Sequence, residues 1–207
     1  MIVVVDYGAG NLRSVEKALR SLGHAVLVTE DPAVVRRAEA VVLPGVGAAA
    51  DTMRGLSRLG LDAAVCEYVH AGRPFLGVCM GLQGLLTGSE EGGWQPCLDL
   101  VPGRVRRLPD GLKVPHMGWN TVRPPADSVL FDGLGADTRF YFVHSYAVQR
   151  WELTPEPPMP APKVTWANHG SDFVAAAENG PLSATQFHPE KSGDAGAHLL
   201  TNWLKNL

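Results

Sequence analysis

One cysteine near the middle of the chain, and a histidine and a glutamate close to its end, have the types and spacing that chemistry needs. The stretch Pro74-Phe75-Leu76-Gly77-Val78-Cys79-Met80-Gly81-Leu82-Gln83-Gly84-Leu85-Leu86 reads as strand, sharp turn and helix, with Cys79 at the turn. A nucleophile at such an elbow is pushed clear of the backbone, and Gly77 and Gly81 on either side are expected to leave room for a substrate. The helix expected after Cys79 would present unpaired N–H groups and the positive end of its dipole. Both favour thiolate over thiol, can bring a cysteine pKa below about 8.5, and can hold an oxyanion.

The second group is Gln186-Phe187-His188-Pro189-Glu190-Lys191. In extended chain, side chains two apart point to the same side. Glu190 can therefore take a hydrogen bond from one imidazole nitrogen of His188 and leave the other facing a thiol, with Pro189 stiffening the arrangement. His188 would then move protons for Cys79 while Glu190 sets its tautomer. Taken singly, each has a plainer reading: an apolar-run cysteine is usually a small buried hydrophobe, and HPE suits a surface turn. No metal site is expected, because no two of the seven histidines stand at i, i+4 around an acid and no CxxC pair occurs.

The elements that must position these groups follow from hydrophobic period. Ile2–Val5 is a strand buried on both faces, followed by a loop, Asp6-Tyr7-Gly8-Ala9-Gly10-Asn11, and a helix carrying Leu12, Val15, Leu19 and Leu22. Asn11 can cap that helix and Gly23 can end it, and Ala25–Thr29 makes a second strand. The Gly8 and Gly10 loop lacks the third glycine of a dinucleotide site, where Arg13 stands, so nucleotide binding is set aside. Ala40–Leu43 is a third strand, ending in Pro44-Gly45-Val46-Gly47 at the edge where open parallel sheets bind ligands. One long amphipathic helix is expected from about Asp51 to His70.

After the elbow helix comes a polar turn containing Glu91, followed by short strands at 103–108, 112–115, 121–123 and 139–148. The aromatics and histidines around His116–Asn120 and Phe140–Tyr146 fit core filling or a docking face. Prolines between Trp151 and Pro162 make a surface loop. A hairpin over 163–177, a last strand over 182–187 and a closing helix over 194–204 complete the chain. The expected architecture is α/β: an open, mostly parallel, flavodoxin-like sheet with helices on both faces and an antiparallel edge layer.

Composition agrees. The 207 residues are 45% hydrophobic and 19% charged with a net charge of -3, which suits one domain over 1–207 and indicates neither disorder nor a nucleic-acid-binding surface. Cys66, Cys79 and Cys97 are odd in number and follow no recognisable leader, so reduced thiols and a cytoplasmic location are expected, with no membrane span.

Taken together, GVCMGLQ at Gly77–Gln83 and FHPE at Phe187–Glu190 resemble the class I glutamine amidotransferases. Within them, five segments are similar to the glutaminase subunits of imidazole glycerol phosphate synthases: DYGAGNLRSVEKAL from Asp6, LPGVGA from Leu43, PHMGWN from Pro115, YFVHSY from Tyr141 and QFHPEKSG from Gln186. The resemblance implies that Cys79 attacks the side-chain amide of glutamine, with His188 as acid and base and Glu190 orienting it. It implies glutamine contacts from Gln83 and Glu91, and an oxyanion hole from Met80 and the Gly45-Val46-Gly47 loop once a peptide there turns inward. It implies no cofactor, and as partner a separate (β/α)8-barrel cyclase in histidine biosynthesis, faced by Tyr7, Asn11, Trp119, Tyr141 and Lys191. A free-standing hydrolase of γ-glutamyl compounds is the alternative. Ala49-Ala50 departs from the Phe-Gly usual in relatives, and altered mobility of the loop is expected.

Overall fold

The structure, a computed structural model, describes residues 1–152 and 161–207, so most of the proline-rich loop expected between Trp151 and Pro162 lies outside the described residues. Its strands are β1 (Ile2–Val5), β2 (Val26–Thr29), β3 (Ala40–Leu43), β4 (Phe75–Val78), β5 (Leu86–Ser89), β6 (Gln95–Pro96), β7 (Val101–Arg107), β8 (His116–Thr121), β9 (Arg139–His144), β10 (Tyr146–Val148), β11 (Lys163–Asn168), β12 (Asp172–Asn179) and β13 (Leu182–Thr185). The helices are α1 (Leu12–Ser21), α2 (Pro32–Arg37), α3 (Ala49–Arg58), α4 (Leu61–His70), α5 (Met80–Gln83) and α6 (Gly193–Leu204).

Seven strands form the central sheet in the order β11-β12-β13-β4-β3-β1-β2. The run from β13 to β2 is parallel throughout, and β12 and β11 add an antiparallel edge. Successive residues of β1 feed opposite faces. Ile2 and Val4 join α1, α6 and the aromatics of β9, while Val3 and Val5 join α2, α3 and α4. A β-branched strand with both faces covered has no solvent side, which is why Ile2–Val5 reads as a continuous apolar run. The chain is therefore mixed α/β with a mostly parallel central sheet.

Two smaller sheets lie beside it: β10-β7-β5-β6, in which β5 and β7 are parallel, and the antiparallel pair β8-β9. Four expectations are corrected here. The long helix over 51–70 is two helices, because Gly60 takes a left-handed φ of 68° and turns the chain between them. The helix after the elbow has only four residues and gives way at once to β5. Residues 112–115 form no strand, and one strand over 116–121 replaces the two short ones expected there. The strand over 139–148 breaks at Ser145, so β9 and β10 belong to different sheets.

Candidate active site

The loops leaving β3, β4 and β13 meet because these three strands are neighbours at the centre of the sheet and run the same way. They deliver the Gly45–Gly47 loop, Cys79 and His188 to one edge, and a cavity of about 160 Å³ opens there. It is lined by Val46, Gly47, Cys79, Met80, Gln83, Glu91, His188 and the β9–β10 corner, Val143 to Tyr146.

Cys79 has φ 55° and ψ −104°, a strained region for a residue with a side chain, at a cost of about 1–3 kcal/mol. Its backbone is held from both sides. Its N–H donates to the Thr185 carbonyl at 2.7 Å, and its carbonyl accepts from Leu82 and Gln83 at 3.0 and 3.1 Å. Only one helical turn follows it, so the long helix macrodipole expected at Cys79 is not there.

The flanking glycines serve packing rather than substrate access. A Cβ on Gly77 would lie 2.6 Å from the Gly81 carbonyl oxygen, and one on Gly81 would overlap the Leu43 carbonyl oxygen. The elbow closes against β3 only because both side chains are missing. Gly81→Ala is expected to lower stability by about 3 kcal/mol, read as a lower denaturant midpoint at unchanged slope.

His188 is 1% exposed, and its Nδ1 pairs with Glu190 Oε1 at 2.7 Å. The pairing does not arise from extended chain: Pro189–Lys191 is a 3-10 turn, and it is this turn that swings the carboxylate back onto the ring. The same Oε1 accepts from Asn11 Nδ2, so Asn11 leaves its own helix uncapped and braces Glu190 across 179 residues of sequence. His188 Nε2 is buried with no protein partner. Burial alone would lower the His188 pKa, but the Cys79 sulfur and the Glu190 carboxylate outweigh it and raise it to about 9.

Around the thiol, Met80 N–H donates at 3.4 Å to the Gly45 carbonyl, so this loop peptide faces the elbow. Glu91 Oε2 accepts from Ala49 N–H at 2.9 Å and so caps α3 from outside, where Ala48 offers no side-chain cap. Gln83 is buried, and its Nε2 donates to the Tyr146 carbonyl and to Gln186 Oε1, both at 2.9 Å. Both amide protons are committed, leaving Oε1 as the only group with which Gln83 can meet a ligand.

The residues expected to face a partner divide. Trp119 is 53% exposed and meets Tyr141 edge to face at 5.9 Å, Met117 beside it is 63% exposed, and Lys191 is exposed. Tyr7 is buried under the loop, where its hydroxyl would meet any Cβ on Gly45, and Asn11 is half-buried and committed to Glu190.

The sequence reading missed Gln186, the brace from Asn11 and the β9–β10 corner. It also missed a chain of neutral rings behind that corner. His144 Nδ1 faces the Tyr146 carbonyl at 2.9 Å and must donate; its Nε2 then accepts from His116 Nδ1 at 2.9 Å, and His116 Nε2 lies 3.3 Å from Asn120 Nδ2. Burial holds His144 down to about 3 and His116 to about 4, against 6.5 when unfolded. Below pH 6.5 the unfolded chain therefore binds protons that the folded chain refuses, and stability present above that pH is lost as pH falls toward 4 and 3. We expect denaturation measured from pH 7 to 4.5 to show this loss. His144→Gln is expected to remove about 1 kcal/mol per pH unit of the slope.

A strained cysteine elbow at the carboxyl edge of a parallel sheet shares its cavity with a buried His–Glu pair, the arrangement that a thiol-dependent hydrolytic enzyme of the α/β class requires. The profile of the glutamine amidotransferase class-I family matches residues 3–207, and the chain belongs to that family. It is 55% identical to "Imidazole glycerol phosphate synthase subunit HisH" of Nocardia farcinica, over 100% of this chain and 98% of that protein. It is 51% identical to the protein of the same name from Thermobifida fusca, with the same coverage. Among solved structures, one described as a glutamine amidotransferase superposes with a TM-score of 0.75 at 20% identity, covering 100% of this chain and 98% of the other. The glutaminase domain of Trypanosoma brucei CTPS with bound acivicin superposes at 0.65 and 16% identity, covering 99% and 93%. Among the described residues no helix is long and apolar enough to cross a membrane, and no cluster of three or more metal-ligating side chains occurs.

Proposed function

We infer that this chain is the glutamine-hydrolysing subunit of an imidazole glycerol phosphate synthase, acting in histidine biosynthesis. The observation that carries this is end-to-end identity of 51–55% to relatives that bear that subunit name. The convergence of Cys79, His188 and Glu190 at the sheet edge supports it chemically.

In this reading the Cys79 proton already rests on His188 Nε2, and the Cys79 thiolate attacks the side-chain carbonyl carbon of glutamine. His188 returns that proton to the departing nitrogen, releasing ammonia and leaving a γ-glutamyl thioester. His188 then draws a proton from water, which attacks the thioester, and glutamate leaves with the thiol restored. Gln83 Oε1 and the Glu91 carboxylate offer acceptors to the ammonium group of the substrate. Met80 N–H and the Gly45-Val46-Gly47 loop form the oxyanion hole once the Gly45 carbonyl releases Met80 and an N–H turns inward. Closure of that hole is the step a partner can control.

As a subunit the chain works with another protein. We propose that this is a (β/α)8-barrel cyclase bound as a heterodimer across Trp119, Tyr141 and Lys191, with Met117 extending the apolar patch, and that it receives the ammonia sheltered from water. A free-standing γ-glutamyl hydrolase is not favoured, because the relatives are named as subunits. The single domain over 1–207 and the absence of any cofactor belong to the same proposal.

The test is glutamate release from glutamine by the chain alone and with the cyclase and its nucleotide ligand. Weak release alone that rises by at least about 100-fold in the complex supports the reading. Full activity alone, indifferent to the cyclase, overturns it.

A further inference from the structure

The geometry assigns Gln186 as a positioning residue that holds the Cys79 sulfur and favours its thiolate. Gln186 is fully buried in the strand-to-turn segment after β13, and its Nε2 lies 3.6 Å from Cys79 Sγ, a normal separation for an N–H donor to sulfur. This inference rests on Cys79 being the nucleophile, as proposed above.

The direction of that contact follows from its neighbours. The Tyr146 carbonyl only accepts, so it draws the NH2 end of Gln83 toward itself. The second proton on the same nitrogen points at Gln186 and requires an acceptor there, which is Gln186 Oε1 at 2.9 Å. With its oxygen turned to Gln83, the Gln186 amide has only its NH2 end left for Cys79. Orientation of this amide is thus decided by a main-chain carbonyl two residues removed in the hydrogen-bond chain, not by the sulfur.

A donor fixed on sulfur binds thiolate better than thiol, since hydrogen bonds to a charged acceptor are stronger than those to a neutral one. Gln186 and His188 also share a side of the chain. They are two apart, and His188 keeps extended dihedrals of −101° and 96°, so both side chains approach Cys79 while Phe187 between them turns into the aromatic core. His188 exchanges the proton and Gln186 does not; its contribution is a donor that stays in place throughout.

The test is the rate of iodoacetamide alkylation at Cys79, followed by peptide mass spectrometry across pH in the assembled synthase, for wild type, Gln186→Met and Gln186→Glu. Gln186→Met keeps length and removes the donor. We expect alkylation of the Met variant to slow about ten-fold at pH 7, its half-maximal pH to move up by about one unit, and the wild-type rate to return at high pH. In Gln186→Glu the carboxylate still accepts from Gln83 and sets negative charge against the sulfur, so the shift is larger. Glutamine hydrolysis should lose kcat with little change in KM. A structural role alone would lower the rate equally at all pH. Profiles that superpose on wild type in the folded variants overturn the assignment, and if the Met variant does not fold, the Glu profile decides in the same sense. An alkylation-insensitive synthase, or an active Cys79→Ala variant, would instead overturn the reading of Cys79 as nucleophile.

Discussion

Cys79→Ala is expected to abolish glutamate release, with a fall of about 10⁶ in kcat and no compensating route through the remaining groups. In the mechanism proposed above glutamine deamidation passes through a covalent intermediate on Cys79, and neither Cys66 nor Cys97 lines the cavity that Cys79 lines. Burial pushes the Cys66 and Cys97 thiols up, the latter to about 11, which leaves both poor nucleophiles at neutral pH. The alanine variant should bind glutamine nearly as well as wild type, because Gln83, Glu91 and His188 are untouched, and should fold, because φ 55° is already strained for any side chain and the smaller one packs no worse. Removing the sulfur also withdraws one of the two partners that raise the His188 pKa, so that ring should titrate at lower pH by NMR. The measurement is glutamate release by the complex beside a glutamine-binding isotherm. Residual turnover within a factor of about 100 of wild type would show that Cys79 is not the nucleophile.

Glu190→Gln is expected to lower kcat/KM by about 10³ to 10⁴ while leaving the fold in place. The carboxylate is 1% exposed, accepts from both His188 Nδ1 and Asn11 Nδ2 on one oxygen, and has no protein partner on the other. A glutamine there has two arrangements. With its oxygen toward His188, the amide nitrogen occupies the place of the unpartnered Oε2 and stays unsatisfied. With its nitrogen toward His188, the ring must accept at Nδ1, carry its proton on Nε2, and so cannot take one from the thiol. In both, the negative charge that helps raise His188 is gone, so the protonated ring that pairs with the thiolate is less stable. Glutamate release across pH reads this as a loss present at every pH, and thermal unfolding within a few degrees of wild type separates it from misfolding. Asn11→Ala removes one donor to the same oxygen and should cost less, about ten-fold.

How far the chain could be read in advance depended on whether a feature is local. Strands β1, β3 and β4 announce themselves as β-branched or apolar runs because burial on both faces demands it, and the elbow announces itself because a nucleophile turn needs small neighbours. What the glycines at 77 and 81 are for was not local: the atoms that exclude a Cβ are the Gly81 and Leu43 carbonyls, across the turn and on the next strand. Amphipathic period continues past Gly60, so one helix is expected there, and only the turn from α3 into α4 shows that its left-handed φ ends one helix and starts another.

The site divides in the same way. Residue types and order along the chain were enough to nominate Cys79, His188 and Glu190 and to predict a parallel α/β sheet, since these rest on chemistry and period. Tertiary structure decided how they meet. Strand order places β4 between β3 and β13, a 3-10 turn rather than extended chain aims Glu190, and Asn11 turns from helix cap to brace. It also buried Tyr7, exposed Met117 and Trp119, and set Gln186 against the sulfur. A sequence determines which groups can donate, accept or react; which of them share a few ångströms depends on long-range packing that no window along the chain contains.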